Sequence, residues 1–574
     1  MVHKKDFVFH LGKFQSQLDE MISKVRDEQL ISRIWKHDHT VWKEDPTEIS
    51  NRLGWLHSPE VMADAIPQIN DFIDQLKAKR FTHALLLGMG GSSLAPEVFR
   101  YTFGVKEGYL DLAVLDSTDP GAVLQMDRTL DPEHTLYIVS TKSGGTVETI
   151  SFMKYFYNRV RNAVGSAYVG NHFIAITDPG SGLESMAKEL KFRRIFLNDP
   201  NIGGRYSALS YFGLVPAALI GMDLIRLLDR AATMIRNCKD SNYPVKDNNT
   251  CAWLGTAMGA MAEIGCDKLT LISSPQLVYF GAWVEQLIAE STGKEGKGIF
   301  PVDRETIAVP DSYTPDRLFI YLHLENDETY EDRVKALIAS GQPVIQLNLN
   351  DLYDLGGEFF RWEFATALAG ALLKINPFDQ PNVEAAKVLA RKMVTSYQQQ
   401  GELPLQQPAL EEGGIKVFSD IKARSLKEVL RLFFEQAQTG KNAGESRSYV
   451  ALQAYLQPTT QSDLALQKMR SRIQNQFQLA TAVGYGPRFL HSTGQLHKGD
   501  GGNGLFMQFV ADIPEDVAIP DKAGEDGSSI TFGILKNAQA LGDRQALLDA
   551  GRKVISFDLG SDIVRGLEQV MNAL

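Results

Sequence analysis

The chain has 574 residues, of which 44% are hydrophobic and 22% charged, and its formal net charge is −11. This length exceeds what one hydrophobic core covers and predicts two to three domains, and the composition is that of an ordinary globular protein rather than a disordered one. The acidic balance argues against nucleic acid or an anionic membrane as a partner, so an anionic ligand needs local positive groups.

The cysteines and the start of the chain bear on its compartment. Cys238, Cys251 and Cys266 cannot form a fully paired disulfide framework, and they contain no Cys-x-x-Cys pair for zinc. The first residues, MVHKKDFVFHLGKFQ, lack the apolar stretch of a signal peptide, and no apolar run reaches membrane-spanning length. We therefore expect a cytoplasmic protein.

Along the chain, residues 13–80 have amphipathic helical patterning. Short apolar runs, separated by helix-length segments, then predict the strands of parallel sheets that are covered on both faces. In chain order, these predicted strands are 82–87, 110–115, 135–140, 172–177, 268–273, 317–323, 342–348, 448–456, 479–484, 504–510 and 553–558. Helices are expected between them, including 279–290 and 357–374, and the Gln-, Pro- and Gly-rich stretch 399–415 predicts a linker.

This order predicts an α/β protein with two doubly wound parallel-sheet domains in sequence. The predicted boundaries are an N-terminal helical segment over 1–60, a first sheet domain over 61–235, a second over 236–400 and a C-terminal α/β section over 401–574.

Two loops that follow predicted strands are rich in glycine and hydroxylated residues. One begins GMGGSS at Gly88, and the other is STKSGGT over 140–146. A loop between a strand and a helix can direct backbone N–H groups, hydroxyls and the positive end of the helix dipole at an anion. The two loops predict one shared site for a phosphorylated small molecule, whose phosphate-holding residues are Gly91, Ser92, Thr141, Lys142, Ser143 and Thr146.

The first loop alone also fits other interpretations. Gly88 and Gly90 open a dinucleotide-binding fingerprint, and Asp116 ends the next predicted strand, where a ribose-binding acid could lie. Ser93 stands where that fingerprint requires glycine or alanine. A tight turn without any ligand is a further alternative, but the second loop favours a phosphate site.

The two loops resemble the phosphate-side loops of sugar isomerase (SIS) domains, and specifically those of the glucose-6-phosphate isomerase family. The resemblance continues in NIGGRYSALS (201–210), ESTGKEGKGIFP (290–301), NPFDQPNVEAAK (376–387) and FLHSTGQLHKGD (489–500). The late histidine block is most similar to the isomerase half of fused transaldolase–glucose-6-phosphate isomerases. A transaldolase barrel has no room in this chain, so that activity is not expected.

The resemblance implies two SIS-type domains and the reversible aldose–ketose isomerisation of glucose 6-phosphate and fructose 6-phosphate through a cis-enediol. It implies a homodimer, often with the histidine supplied across the interface, and no cofactor. By the same resemblance, Arg205 steadies the intermediate, Lys387 and His491 open the sugar ring, and Gln380 contacts the sugar phosphate.

The residues support this assignment in chemical terms. A carboxylate is the natural base for a carbon-bound proton, and Glu290 closes an apolar-patterned helix, where an acid opposes the helix dipole. Arg205 follows Gly203 and Gly204, which allow close backbone approach to a ligand, and its guanidinium keeps its charge. A surface glutamate, and an ion pair of Arg205 with Asp199, are the structural alternatives.

The other two catalytic candidates leave comparable alternatives. Lys387 lies on the stripe 383, 387, 390 and 394 of a helix expected to have Pro381 in its first turn, where a lysine either extends to solvent or works in a cleft. His491 offers an imidazole, the kind of side chain that suits proton transfer in ring opening, but a histidine can also structure a glycine-rich turn. His497 is expected to be a loop or subunit contact.

Three other functions remain open at this stage. A broader isomerase would also accept mannose 6-phosphate, which shares the enediol. A non-catalytic SIS sensor would need the loops without Glu290, Arg205 and Lys387. A nicotinamide oxidoreductase is disfavoured by Ser93, and no metal ligands or pyridoxal phosphate site are evident. We expect a sugar-phosphate substrate and no nucleic-acid or membrane partner.

Overall fold

The computed structural model describes residues 7–79, 81–239, 249–404, 406–440 and 447–574. Residues 1–6 of the predicted N-terminal segment, Arg80 at the end of the predicted helical stretch, residues 240–248 of the predicted second domain, and Leu405 and 441–446 of the C-terminal part lie outside the described residues.

The described chain alternates strands and helices along most of its length. The strands are β1 (Phe7–His10), β2 (His83–Gly88), β3 (Asp111–Leu115), β4 (Thr135–Ser140), β5 (Phe173–Thr177), β6 (Arg194–Leu197), β7 (Lys268–Ser273), β8 (Phe300–Val302), β9 (Arg317–Leu324), β10 (Val344–Leu349), β11 (Leu410–Glu412), β12 (Ile415–Phe418), β13 (Tyr449–Tyr455), β14 (Ala480–Tyr485), β15 (Gly504–Val510), β16 (Ala518–Ile519), β17 (Ile530–Thr531) and β18 (Lys553–Asp558). The helices are α1 (Gln15–Asp27), α2 (Leu30–Trp35), α3 (Ser58–Lys77), α4 (Leu94–Phe103), α5 (Pro120–Thr129), α6 (Val147–Val164), α7 (Gly182–Glu189), α8 (Tyr211–Leu219), α9 (Leu224–Lys239), α10 (Thr250–Glu263), α11 (Phe280–Thr292), α12 (Glu331–Ala339), α13 (Leu355–Leu372), α14 (Val383–Gln400), α15 (Leu426–Phe434), α16 (Thr460–Phe477), α17 (Gly494–Gly499), α18 (Phe532–Asp549) and α19 (Ile563–Ala573).

Three larger sheets organise these elements. The first has the order β3-β2-β4-β5-β6 and is parallel throughout. The second has the order β1-β10-β9-β7-β8, and the third β11-β12-β18-β15-β13-β14. The predicted α/β class with two successive parallel sheets and a C-terminal α/β section is confirmed, because the central strands of all three sheets are parallel.

Several central strands are buried along their whole length, as their continuous apolar runs predict. Every residue of β4, β5 and β9 is buried, including Tyr137 and Arg317. A continuous core joins the N-terminal helices to the first two sheets, and the third sheet has a core of its own. The predicted domain boundaries stay a prediction.

The N-terminal segment contains a strand in addition to the predicted helices. Phe7–His10 forms β1, which pairs antiparallel with β10 at the edge of the second sheet. Four residues are too few to show a strand period, and their partner lies more than three hundred positions away. The predicted linker is also shorter, since α14 extends to Gln400 and β11 begins at Leu410.

The C-terminal section packs against the first sheet domain. Phe532 of α18 stacks on Phe152 of α6, with ring centroids 5.7 Å apart.

Cys238 and Cys251 form a disulfide between α9 and α10, and Cys266 is a buried free thiol. Among the described helices, none is both long and apolar enough to cross a membrane.

Candidate active site

The first phosphate loop lies against two other blocks of the predicted site. It leaves β2, forms a 3₁₀ turn over Gly90–Ser92 and enters α4. A Cβ on Gly90 would lie 2.8 Å from Gln286 Nε2 and 2.8 Å from the carbonyl oxygen of His491, and one on Gly91 would lie 2.0 Å from the carbonyl oxygen of Gly204. Glycine is therefore required at both positions, because any side chain would push the loop away from its neighbours.

The second loop is joined to the first. Ser140, at the end of β4, donates from Oγ to the carbonyl oxygen of Ser92 at 3.1 Å. Within the second loop, Thr141 Oγ1 and Thr146 Oγ1 are 2.9 Å apart, and the Gly145 N–H donates to Ser143 Oγ at 3.2 Å. Thr146 is the N-cap of α6 but its side chain does not cap the helix. The structure thus places the predicted phosphate residues in two adjoining loops, each of which leads into a helix.

Lys142 does not present a free ammonium to this site. Its Nζ donates to Asp178 and, at 2.8 Å, to the carbonyl oxygen of Pro200. Burial raises the pKa of Asp178, although Lys142 acts in the opposite direction. The charge of Lys142 is therefore shared with a carboxylate, and loop N–H groups and hydroxyls are better placed to hold a phosphate.

Arg205 connects three of the sequence blocks. It lies in the 3₁₀ turn Gly204–Tyr206, is 2% exposed, and its Nε donates to Ser291 Oγ at 2.7 Å. Its Nη2 donates to the carbonyl oxygens of Pro377 and Asp379, and its Nη1 donates to Gln380 Oε1 at 2.8 Å. The alternative of an ion pair with Asp199 is wrong, because the guanidinium points into the interior.

Glu290 faces this guanidinium. Its Oε1 is 3.6 Å from Arg205 Nη1, and its Oε2 accepts a hydrogen bond from Gln286 Nε2 at 3.1 Å. Gln286 lies one turn earlier on α11, and its Nε2 also donates to the carbonyl oxygen of His491 at 2.7 Å. The side chain of Glu290 is 11% exposed, so it is not a solvated surface glutamate.

His491 ends the 3₁₀ turn Arg488–His491 and reaches the start of α6. Its Nε2 lies 3.2 Å from Oε1 of Glu148, which also accepts from Gln539 Nε2 at 2.7 Å. Burial raises the pKa of Glu148, but its charge and hydrogen-bond interactions with His491, with a smaller effect of Lys387, lower it below the usual value. The pair is thus an imidazole beside an ionised carboxylate.

Lys387 lies half-buried on α14, close enough for its charge to act on Glu148. Within the described part of the chain, its ammonium forms no hydrogen bond. The helix begins at Val383, so Pro381 precedes it rather than lying in its first turn. The Gln495 side chain replaces the expected start signal, since its Oε1 accepts from the N–H groups of Asn382 and Val383 at 2.9 and 3.2 Å.

His497 is neither a loop nor a surface residue. It lies on α17 among the rings of Tyr449, Phe489 and Phe506, with Nδ1 3.3 Å from Gln453 Nε2. Burial holds its pKa well below the usual range, so it is a neutral core histidine.

Sequence reasoning missed three side chains in the site: Glu148, Gln286 and Lys294. Glu148 lies two residues after the second loop, and Gln286 lies four residues before Glu290 on one helix face, which are the available signals. Lys294 Nζ donates to the carbonyl oxygen and to Oδ1 of Asp379 at 2.6 and 2.7 Å. Burial, together with the charge of Arg205, lowers the pKa of Lys294 to about 8.

The carboxylate of Asp116 interacts with other residues of the chain. Its Oδ2 lies 3.3 Å from Arg488 Nε and 3.4 Å from Ser93 Oγ. The interpretation in which it binds a ribose finds no support in this arrangement.

Known proteins are similar to this chain in sequence. Residues 64–307 match the family model described as phosphoglucose isomerase. A glucose-6-phosphate isomerase of Carboxydothermus hydrogenoformans is 29% identical over 398 residues, which cover 58% of this chain and 83% of the relative. A glucose-6-phosphate isomerase of Thermus thermophilus is 29% identical over 404 residues, covering 60% of this chain and 91% of the relative.

A solved structure shares the fold. The crystal structure of a glucose-6-phosphate isomerase from Chlamydia trachomatis superposes with a TM-score of 0.56 at 20% identity, covering 67% of this chain and 87% of the other. The likeness to fused transaldolase–isomerases stays a prediction. The family match and these relatives show that the chain is similar to glucose-6-phosphate isomerases over more than half of its length.

Proposed function

We propose that this protein is a glucose-6-phosphate isomerase that interconverts glucose 6-phosphate and fructose 6-phosphate by ring opening and proton transfer. The observation that carries the proposal is the buried Glu290 carboxylate, 3.6 Å from the Arg205 guanidinium, beside two phosphate-type loops and the His491 turn. The family match and the relatives support the same activity.

Substrate binding is assigned to the two loops. The phosphate lies against Gly91, Ser92, Thr141, Ser143 and Thr146, where N–H groups at the start of α6 favour an anion. Lys142 adds a positive charge moderated by Asp178, while Gly204 and Gln380 border the sugar. Arg205 orients the side-chain amide of Gln380 by donating a hydrogen bond to its Oε1.

Ring opening is assigned to His491 and Lys387. The C1 hydroxyl loses its proton, the ring oxygen gains one, and the bond between C1 and the ring oxygen breaks to give the open aldehyde. An imidazole can take the first proton and return it, because it titrates near neutrality. The carboxylate of Glu148 holds the imidazole in place, and the Lys387 ammonium assists at the ring oxygen.

Isomerisation is assigned to Glu290 and Arg205. The Glu290 carboxylate removes the proton from C2, whose electrons form the C1–C2 double bond, and the former carbonyl oxygen becomes an enediolate stabilised by Arg205. The proton of the C2 hydroxyl passes to the O1 enediolate oxygen, the electrons left on the C2 oxygen form the C2 carbonyl, and the Glu290 carboxylic acid delivers its proton to C1 to give the ketose. A guanidinium suits this role because it does not give up a proton to the intermediate.

A coupled assay tests the activity. Purified protein converts fructose 6-phosphate to glucose 6-phosphate, which a dehydrogenase oxidises with formation of NADPH; absence of conversion would refute the proposal. A parallel assay with mannose 6-phosphate distinguishes the strict isomerase from the broader one.

The cytoplasmic location, the homodimer and the four-part domain division of the chain are part of the same proposal. A sugar phosphate is the proposed substrate, and no cofactor is assigned.

A further inference from the structure

We infer that Arg488 is a positioning residue for ring opening, which holds the turn that carries His491 against the phosphate loops of the same chain. The inference rests on the proposed function, because it concerns the step assigned to His491. Arg488 does not reach the reacting groups assigned above and acts through the turn.

Arg488 connects the histidine turn to two elements of the first sheet domain. Its Nη1 donates to Glu97 Oε1 at 3.1 Å, and its Nη2 donates to Glu97 Oε2. Its Nε lies 3.3 Å from Asp116 Oδ2. Glu97 is in the first turn of α4, directly after the first phosphate loop, and Asp116 follows β3. One guanidinium therefore joins the turn to two elements that border the first loop.

The planar guanidinium suits this connection. It binds one carboxylate through two nitrogens and a second carboxylate through Nε, a geometry that a lysine cannot reproduce. The side chains of Arg488, Glu97 and Asp116 are 27%, 21% and 13% exposed, so solvent screens these interactions less than it does on an open surface.

The other end of the turn is fixed by the site itself. The carbonyl oxygen of His491 accepts from Gln286, and the missing side chain of Gly90 leaves space for this contact. Arg488 holds the first residue of the turn, and Gln286 holds the last. Between these two anchors, the imidazole is directed at Glu148.

The long connection explains why such an anchor is needed. Arg488 and Glu97 are 391 positions apart in sequence, so local chain geometry does not set the place of His491 relative to the phosphate loop. A shift of about 1 Å in a catalytic group can lower a rate about 100-fold. The charge cluster is a direct ionic link between the histidine turn and the helix of the first loop.

Ring opening can be measured apart from proton transfer. Opening and reclosing the ring interconverts the α and β anomers of glucose 6-phosphate without moving a carbon-bound proton. Exchange spectroscopy between the two anomers thus reports on His491, while fructose 6-phosphate turnover reports on the whole reaction. Glu290→Gln serves as the internal check, because it should lose turnover and retain anomer exchange.

The test compares Arg488→Lys and Glu97→Gln with Arg317→Lys as the matched control. Arg317 forms a bidentate pair with Glu305 at 3.0 and 3.1 Å, buried in the second sheet and away from the histidine turn. We expect Arg488→Lys to lower anomer exchange and kcat by about 10- to 100-fold with KM near the parental value, and Glu97→Gln to lower both less. Arg317→Lys should lose thermal stability but keep anomer exchange.

Parental anomer exchange in folded Arg488→Lys and Glu97→Gln proteins would overturn the inference, as would an equal loss in Arg317→Lys. Either result leaves the proposed function intact, since the unmodified protein still converts fructose 6-phosphate. Failure of the unmodified protein to convert fructose 6-phosphate refutes the proposed function instead.

Discussion

The carboxylate of Glu290 lies between a hydrogen-bond donor and a guanidinium. Gln286 fixes one oxygen and Arg205 lies near the other. A base that must take a proton from one carbon and return it to the next needs a fixed position relative to both carbons, and these contacts supply it.

Glu290→Gln should therefore abolish most turnover and leave binding nearly unchanged. The amide keeps the shape of the side chain but cannot accept the C2 proton, so kcat should fall about 10²- to 10⁴-fold while KM changes little. Steady-state kinetics with fructose 6-phosphate measures both. Glu363→Gln is a suitable control, because burial raises the pKa of Glu363 well above its usual value and the neutral amide resembles the protonated acid. Unchanged turnover in Glu290→Gln would refute the assignment of the base.

Lys294 makes a pH-dependent contribution to stability. Its pKa of about 8 in the folded chain lies below the reference value of 10.5, because burial and Arg205 disfavour the charge. The unfolded chain binds this proton more tightly, so the free energy of unfolding rises as the pH increases from about 8 towards 10.5.

Lys294→Met removes this titration. Between about pH 7 and about pH 9.5, the stability of the parent should rise relative to the variant by about 2 kcal/mol. Chemical denaturation of both proteins across this range measures the difference. A difference that does not change with pH would contradict the buried, proton-releasing lysine.

At the scale of elements, close backbone approach brings the first loop to the Arg205 turn. Gly91→Ala places a Cβ 2.0 Å from the Gly204 carbonyl oxygen, so the two turns must separate. Since Arg205 then moves relative to Glu290, we expect kcat to fall about 100-fold. Gly182→Ala, at the start of α7, has its nearest neighbour 3.7 Å away and is the control. Steady-state kinetics measures kcat of the two variants, and circular dichroism verifies that both are folded. Equal activity of both variants would contradict the close approach.

The sequence predicts the central strands and both loops because their signals are local. Buried parallel strands are continuous apolar runs, and the loops that follow them are marked by glycine and hydroxylated residues. The strands that escape prediction, such as β1 and β8, are short and lie at sheet edges, and β1 pairs with a strand that is distant in sequence.

Site residues, like strands, can be predicted from the sequence where their signals are local. Glu290 and Arg205 are found from motifs, and their 3.6 Å approach agrees with the roles proposed for them. Glu148 and Gln286 carry only weak positional signals, because their importance arises from contacts with His491 across distant segments. The start of α14 is likewise set by Gln495 from another segment rather than by Pro381.

At the scale of the molecule, the histidine reaches the site from the C-terminal section of its own chain. His491 contacts Glu148, and α18 packs on α6 of the same chain. The single chain thus contains each group assigned to the reaction, which differs from the arrangement with a shared histidine that the family resemblance implies.

Mixing two inactive variants tests this arrangement. Glu290→Gln and His491→Asn chains, unfolded together and refolded, should regain no activity, because each site needs both residues from one chain. Turnover of the mixture is compared with that of each variant refolded alone. Partial recovery in the mixture would show that the histidine is supplied across a subunit interface.

The most direct measurement of the central claim is deuterium incorporation during isomerisation in deuterium oxide, followed by NMR. If Glu290 carries the proton between C2 and C1 through an enediolate, it exchanges with solvent in some turnovers, and deuterium accumulates at C2 of glucose 6-phosphate and C1 of fructose 6-phosphate. Glu290→Gln should incorporate none. Efficient conversion by the unmodified protein without any deuterium in either sugar would contradict the account.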